Sequence, residues 1–459
     1  MAGGLLQLVA YGQANVYLNT NPQITMFKKV YKTHTNFSME SITVALNRTD
    51  VNIYDTTILR SKLDRNADLV GQVYFVFELP DILSDNLWKF RWIENLAEAM
   101  IDDIYISIGG NRIDHQNGEW IHILNNLTYG VDKRDVYNRM IGNVPEFTNP
   151  EQFYFMQNYH TLIPMQYRVG NEYPVSADPA KPSIRNRTLY LPLTFWFNTD
   201  LANALPLISL QYSEVEIVIQ IKPIYQLYKL NYKRSGILNH YAPDPSNPNH
   251  LLEKFVTNGN NRYLVSSSIL DIKARLEVNY IYLDQKERMF FAYKPIEYLI
   301  NQLTMIPKTS LLNNNNLELV LSNPVKEIIW VCKRNDVSIW NNWFDYTDRM
   351  RNIMRSASIL FNGMERLTEK SYEYFSYVQP FQHHTGCKDG INLYSFSITP
   401  EDLFQPTGSC NMSKINKIQM ILNLNMPTNK YYQYDSFFYV TNYNILRISN
   451  GLAGVVYAL

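Results

Sequence analysis

Period-two alternation of apolar and polar side chains dominates this chain, the pattern of a strand with one buried face. Val73, Phe75, Phe77 and Leu79 alternate with Gln72, Tyr74, Val76 and Glu78, and Ile104, Ile106 and Ile108 with Tyr105 and Ser107. A third run, Leu189 to Phe197, carries Pro192 on its opposite face, which predicts an edge or a bulge there. Val215, Ile217, Ile219 and Ile221 make the cleanest run, and Ala274 to Tyr282 the fifth. After Asp284 the pattern restarts. Leu299–Met305, Leu317–Leu321, Ile328–Val331, Ile359–Phe361, Tyr394–Ile398, Ile418–Leu424 and Phe437–Val440 are the later candidates. Two sets of strands separated by turn-rich stretches predict two antiparallel β units, sandwiches or jelly rolls, rather than βαβ units.

Between the sets, Asp284–Pro295 runs from charged to aromatic residues and stops at a proline, as a connector would. Arg134–Asn186, Tyr225–Ser268 and Leu311–Asn316 are rich in Pro, Asn or both and predict long loops. Helices are expected at Asn86–Met100 and Gly118–Leu127. A faint echo relates Ile106–Asp114 to Ile359–Leu367, each reading strand, glycine turn, strand.

Composition narrows the function. The 459 residues balance 42 basic against 42 acidic side chains, which excludes a polybasic nucleic-acid binder as the main role. The 34 Tyr, 21 Phe and 7 Trp suit β-rich cores and interfaces, and 49 Asn suit turns and long loops. Three cysteines, Cys332, Cys387 and Cys410, exclude a disulfide scaffold and a four-thiolate zinc site. With no membrane-length apolar run, and no basic segment before Leu5, the chain reads as a soluble protein of a reducing compartment.

No phosphate loop, nucleophile elbow, H-E-x-x-H or C-x-x-C pattern occurs. His115, Glu119 and His122 would share a face if the second helix extended backwards, but carboxylate-bridged metal sites need a second such pair and none is present. His383, His384 and Cys387 are close in sequence, yet adjacent histidines on an extended chain point to opposite sides. Asp102 and Asp103 lack a partner group. The expectation is therefore no catalytic residue, no cofactor-binding residue and no metal ligand.

Ordered segments then carry a resemblance. Gly3–Gly12 (GGLLQLVAYG), Val16–Leu18 (VYL), Asn21–Lys28 (NPQITMFK) and Thr35–Ile42 (TNFSMESI) are similar to the opening of the major capsid proteins of nucleocytoplasmic large DNA viruses. The likeness continues through Ile108–Asp114, Leu191–Asn198 (LPLTFWFN), Ala204–Val215 and Tyr280–Arg288. In the second half it covers Glu297–Leu303, Gln405–Ile415 and Asn442–Leu452. The stretches Tyr129–Arg185 and Tyr225–Asp271 look longer than in algal-virus members.

The resemblance implies an all-β fold: two consecutive eight-stranded antiparallel jelly rolls with long loops and few short helices. It divides the chain into an N-terminal arm (1–24), a first roll (25–284), a connector (285–298) and a second roll with a C-terminal tail (299–459). It implies homotrimeric, pseudo-hexagonal capsomers that tile an icosahedral shell, with no enzymatic activity and no cofactor. Implied partners are further copies of the chain, neighbouring capsomers, minor capsid proteins and, indirectly, an internal membrane, but no nucleic acid and no small-molecule substrate. The implied location is the virion, after synthesis in the host cytoplasm. Competing readings are a minor paralogue or scaffold of the same family, or a lectin or enzyme on a jelly roll. Gly109-Gly110 is expected to turn after the fourth strand, with Val215–Ile221 and Ala274–Leu283 as the last two strands of the first roll. The Tyr225–Asp271 loop is expected at the same end as that turn, and Arg134–Asn186, taken to join strands four and five, at the opposite end.

Overall fold

The computed structural model describes residues 3–29, 31–84, 87–150, 182–234, 237–256, 265–266 and 268–457. Met1–Phe37 is a compact unit of its own, with exposed helices at Gly3–Val9 and Gln13–Asn19. Ser38–Leu459 forms the second unit.

Eight strands build the first roll of that unit: β1 (Phe37–Ala45), β2 (Thr57–Lys62), β3 (Leu69–Leu79), β4 (Ile101–Ile108), β5 (Asn111–Gln116), β6 (Arg187–Pro192), β7 (Val215–Ile221) and β8 (Arg275–Leu283). They pair as two sheets, β1-β8-β3-β6 and β2-β7-β4-β5, with antiparallel registers such as Ile217 opposite Ile106 and Val278 opposite Val73. The apolar faces read from the alternation meet between the sheets: Val73, Phe75 and Phe77 with Leu276 and Val278, against Ile104, Ile106, Ile217 and Ile219. Pro192 closes β6, an edge strand, where its missing N–H costs no ladder bond.

The second roll repeats the plan. Its strands are β9 (Ile296–Leu311), β10 (Asn314–Glu318), β11 (Pro324–Arg334), β12 (Met354–Phe361), β13 (Met364–Ser371), β14 (Ile391–Ser395), β15 (Ile418–Leu424) and β16 (Tyr434–Ser449). The sheets are β9-β16-β11-β14 and β10-β15-β12-β13, the same order position for position. The chain is all-β, two consecutive jelly rolls. The sequence echo falls on equivalent hairpins. Gly109 and Gly110 (φ 59° and 82°) join β4 to β5, and Asn362 and Gly363 (φ 50° and 82°) join β12 to β13. Positive φ at both central residues is the tight hairpin turn that matches strand twist.

Several expectations are corrected. Among the described residues of Asn86–Met100, the helix is confined to Leu96–Met100. Trp88–Trp92 is instead a strand, because Tyr228–Arg234 offers it a partner ladder. The asparagine run is a strand rather than a loop: β10 pairs with β15, and Asn315 folds its side chain onto Leu312, accepting from its N–H at 2.9 Å and donating to its carbonyl at 2.5 Å. Arg134–Asn186 follows β5, so it joins strands five and six. Loop placement changes with it. Ile82 bridges Ile184, the Leu83 N–H donates to the Phe255 carbonyl at 2.7 Å, and Asn52 pairs with Ile269. The β1–β2, β3–β4, β5–β6 and β7–β8 connections therefore share one end. Gly109 lies at the other, where its N–H donates to the Glu214 carbonyl at 2.8 Å. Residues 151–181 and 257–264 of the two long loops lie outside the described residues.

Candidate functional site: the seam between the rolls

Asn117 ends β5 and starts a helix: its side chain accepts the Trp120 N–H at 2.8 Å, an N-cap bond. That helix, α1 (Gly118–Thr128), leaves the first roll and lies on the second. Trp120, Ile123 and Leu127 pack on Leu303, Ile329, Val331, Ile391, Leu393 and Tyr439. Strand β11 is thus buried on both faces, since Ile328, Trp330 and Cys332 point into its own roll. This explains why Ile328–Cys332 is a continuous apolar run where the other strands alternate.

The helix fits without slack. A Cβ at Gly118 would sit 2.1 Å from the Glu98 carbonyl oxygen and 2.5 Å from that of Ile101. From the second roll, Gly386 donates its N–H to the Leu127 carbonyl at 2.6 Å, and a Cβ there would meet the Asn126 carbonyl oxygen at 2.4 Å. Both positions exclude any side chain.

Charges cross the seam in a fixed pattern. Glu119 on α1 receives Lys333 of β11 at 2.8 Å and the Tyr439 hydroxyl at 2.7 Å. Glu98 is fully enclosed and accepts from His122 Nδ1, the Tyr137 hydroxyl and Asn125 Nδ2. Burial alone would raise its carboxyl, but these donors hold it below its ordinary value. His122 donates outward to Glu98 at 2.5 Å and accepts Lys388 of the second roll at 2.6 Å on Nε2. Burial, with Lys388 adding to it, outweighs Glu98 and holds the imidazole below its ordinary value. Its ring stacks on Phe344, with centroids 4.1 Å apart and planes 5° from parallel. Further along, Gln302 Nε2 of β9 donates to the Ile113 carbonyl at 2.8 Å, occupying the free edge of β5.

The structure separates the residues that sequence spacing had grouped. His115 belongs to β5, not to a helix, and pairs with Asp103. Glu119 and His122 face different partners, as above. Asp102 accepts from Gln220 Nε2 at 3.1 Å. His383 ends a short helix, and His384 is buried between Glu327 (2.8 Å) and Glu401 (3.1 Å). Burial pushes His384 down, but the two carboxylates prevail and raise it to about 9. Cys387 is exposed and Cys332 buried. Among the described residues no group of three or more His, Cys, Asp or Glu could hold a metal ion, and no helix is long and apolar enough to cross a membrane. Glu98, Lys333, Lys388 and Gln302 were missed by sequence reading. The Lys388–His122 pair spans 266 positions and the Lys333–Glu119 pair 214, so no local pattern marks them.

The comparisons agree with this architecture. Residues 25–284 match the family described as "Major capsid protein N-terminus", and residues 287–454 match "Large eukaryotic DNA virus major capsid protein". The major capsid proteins of Phaeocystis pouchetii virus and of Pyramimonas orientalis virus are each 32% identical to this chain, with 100% of both chains covered. Among solved structures, a PBCV-1 virus capsid chain shares the fold at a TM-score of 0.66 and 24% identity, covering 95% of this chain and 100% of its own. The Faustovirus major capsid protein does so at 0.68 and 11% identity, covering 96% and 94%. With both rolls matched in order and full-length relatives at this identity, the chain belongs to the major capsid protein family of large eukaryotic DNA viruses, a structural and non-enzymatic family of the virion.

Proposed function

We propose that three copies of this chain close into a pseudo-hexagonal capsomer that tiles an icosahedral shell. One observation carries the reading: the edges used inside the chain have equivalents left unused. Roll one presents the β5 edge to the β9–β16 side of roll two, where Gln302 caps Ile113 and Tyr298, Ile300, Leu446 and Ile448 join roll one's core. The equivalent of β5 in roll two is β13, exposed along almost its whole length. The equivalent of β9 in roll one is β1, also largely exposed. In a ring of three, β13 of one copy meets the β1 side of the next, so a single kind of contact recurs six times, alternately within and between chains. A heterologous contact whose rotation closes gives a ring. Light scattering of the purified chain tests this. A trimer is expected, and a stable monomer at micromolar concentration overturns the reading.

The same proposal assigns residues 1–24 as an arm, 25–284 and 299–459 as the two rolls, and 285–298 as their connector. It assigns no catalytic, cofactor or metal residue. Its partners are neighbouring capsomers, minor capsid proteins and, indirectly, an internal membrane, with synthesis in the host cytoplasm. The arm contacts neighbours on the inner side of the shell, so deleting Met1–Asn19 leaves trimers but impairs shell assembly. The end bearing the β3–β4, β5–β6 and β7–β8 connections faces outward. Protease digestion of intact particles then cuts both long loops before the Gly109-Gly110 turn, and the reverse order overturns this orientation.

A further inference from the structure

The connection from β11 to β12 in roll two folds back onto roll one and is gripped on both sides of a single residue. Asn341, buried, donates its Nδ2 to the carbonyls of Tyr225 (3.1 Å) and Tyr228 (3.0 Å). Trp343 donates its Nε1 to the Gln226 carbonyl at 3.0 Å, and Lys222 lies 4.2 Å over its ring. Between them, Asn342 is held against Lys229 of roll one, whose Nζ donates to Asn342 Oδ1. Lys229, Asn342, Glu94 and Asp345 line one cavity of about 370 Å³ at the seam.

We infer that Lys229 and Asn342 join in a covalent amide bond that the chain makes by itself and that staples roll one to roll two. An amine, a carboxamide and neighbouring carboxylates in one cavity are the components of that reaction. The neutral Lys229 Nζ attacks Asn342 Cγ, forming a C–N bond and placing the electron pair of the carbonyl on Oδ1. A carboxylate, Glu94 or Asp345, takes a proton from the attacking nitrogen and returns it to Asn342 Nδ2. The carbonyl re-forms and Nδ2 leaves as ammonia. Nothing is oxidised or reduced, and no co-reactant is needed. Burial pushes the Lys229 amine down to about 8, with Arg91 adding to the effect and Glu94 and Asp345 opposing it, so a nucleophilic fraction exists near neutral pH. The bonds from Asn341 and Trp343 supply the orientation that makes an intramolecular attack fast.

Intact mass spectrometry of the full chain tests the bond. The wild-type protein is expected to weigh one ammonia less than its sequence, and its digest to contain one branched peptide joining Lys229 to Asn342. Lys229→Arg keeps the cation, and Asn342→Ala alters an exposed position; both are expected to retain the fold by circular dichroism and to restore the full sequence mass. Asn342→Asp is expected to lose water in place of ammonia. Glu94→Gln and Asp345→Asn identify the proton carrier by which of them slows the mass loss. A wild-type chain that keeps its full sequence mass after prolonged incubation, or that links a different lysine, overturns the inference.

Discussion

The two rolls share a strand order but differ in how they treat the same edge. In roll one, β5 is half covered: Ile113, Asp114 and Gln116 are buried, and Gln302 from roll two occupies the Ile113 carbonyl. In roll two, β13 is exposed apart from its centre and carries Glu365, Arg366, Glu369 and Lys370. Charges on a bare edge discourage indiscriminate pairing while leaving room for a specific partner. Repeating a fold twice in one chain thus yields two copies of each surface, one consumed internally and one left exposed.

The largest expected effect breaks that comparison at the bare edge. The double change Arg366→Glu and Lys370→Glu is expected to abolish the trimer while leaving a folded monomer, read by light scattering and circular dichroism. A trimer surviving this change would place the contact elsewhere.

Next in size are the two glycines that let α1 lie between the rolls. Gly118→Ala and Gly386→Ala each force a methyl group against backbone carbonyls. Each is expected to cost about 3 kcal/mol in chemical denaturation, at the upper end of overpacking penalties. A cost below about 1 kcal/mol, the lower end of that range, would mean that the seam is looser than described.

The buried histidines sharpen the contrast between seam and roll. His122 faces one carboxylate and one ammonium, Glu98 and Lys388, and its folded pKa lies below its ordinary 6.5. The unfolded chain then binds the proton more readily, so this contribution is lost as pH falls below about 6.5. His384 faces two carboxylates and is raised to about 9. Its contribution is complete below about 6.5 and disappears as pH rises through about 9. Stability measured by unfolding across this range is expected to fall on both flanks. Lys388→Met is expected to flatten the acid flank, and His384→Gln the alkaline one. If either variant altered the opposite flank instead, the charge assignment would be wrong.

The smallest expected effect compares the hairpins. Gly110 and Gly363 both have φ 82°, with open space where a Cβ would stand. Alanine at either is expected to cost about 1 kcal/mol, from backbone strain alone. Unequal losses would show that the two turns are not equivalent.

Much of the frame was legible because alternation records which face of a strand is dry, and β3, β4, β7 and β8 each bury one face on the opposing sheet. The resemblance segments placed the turn after β4 correctly. Less legible were strands whose partners compensate for their composition. In β10 the ladder from β15 overrides the turn preference of asparagine. The polar strand β13 has little core of its own and was visible only through its echo of β5. Counting Arg134–Asn186 as the link between strands four and five misread the end at which it emerges, because β5 (Asn111–Gln116) lacks the apolar alternation of the counted strands and showed only as the second arm of the glycine hairpin.

By itself, then, the sequence determined the secondary-structure class, the presence of two successive β rolls and the family, since each is written in local periodicity or in ordered short segments. Only the tertiary structure decided the seam: the placement of α1, the lysines that cross to Glu119 and His122, and the cap on the β5 edge. Those contacts join residues more than 180 positions apart. At such distances selection acts on complementarity between surfaces, and complementarity leaves no periodic trace in either partner alone. The one hint was the unbroken apolar run Ile328–Cys332, which shows that both faces of β11 are covered without naming what covers the outer one.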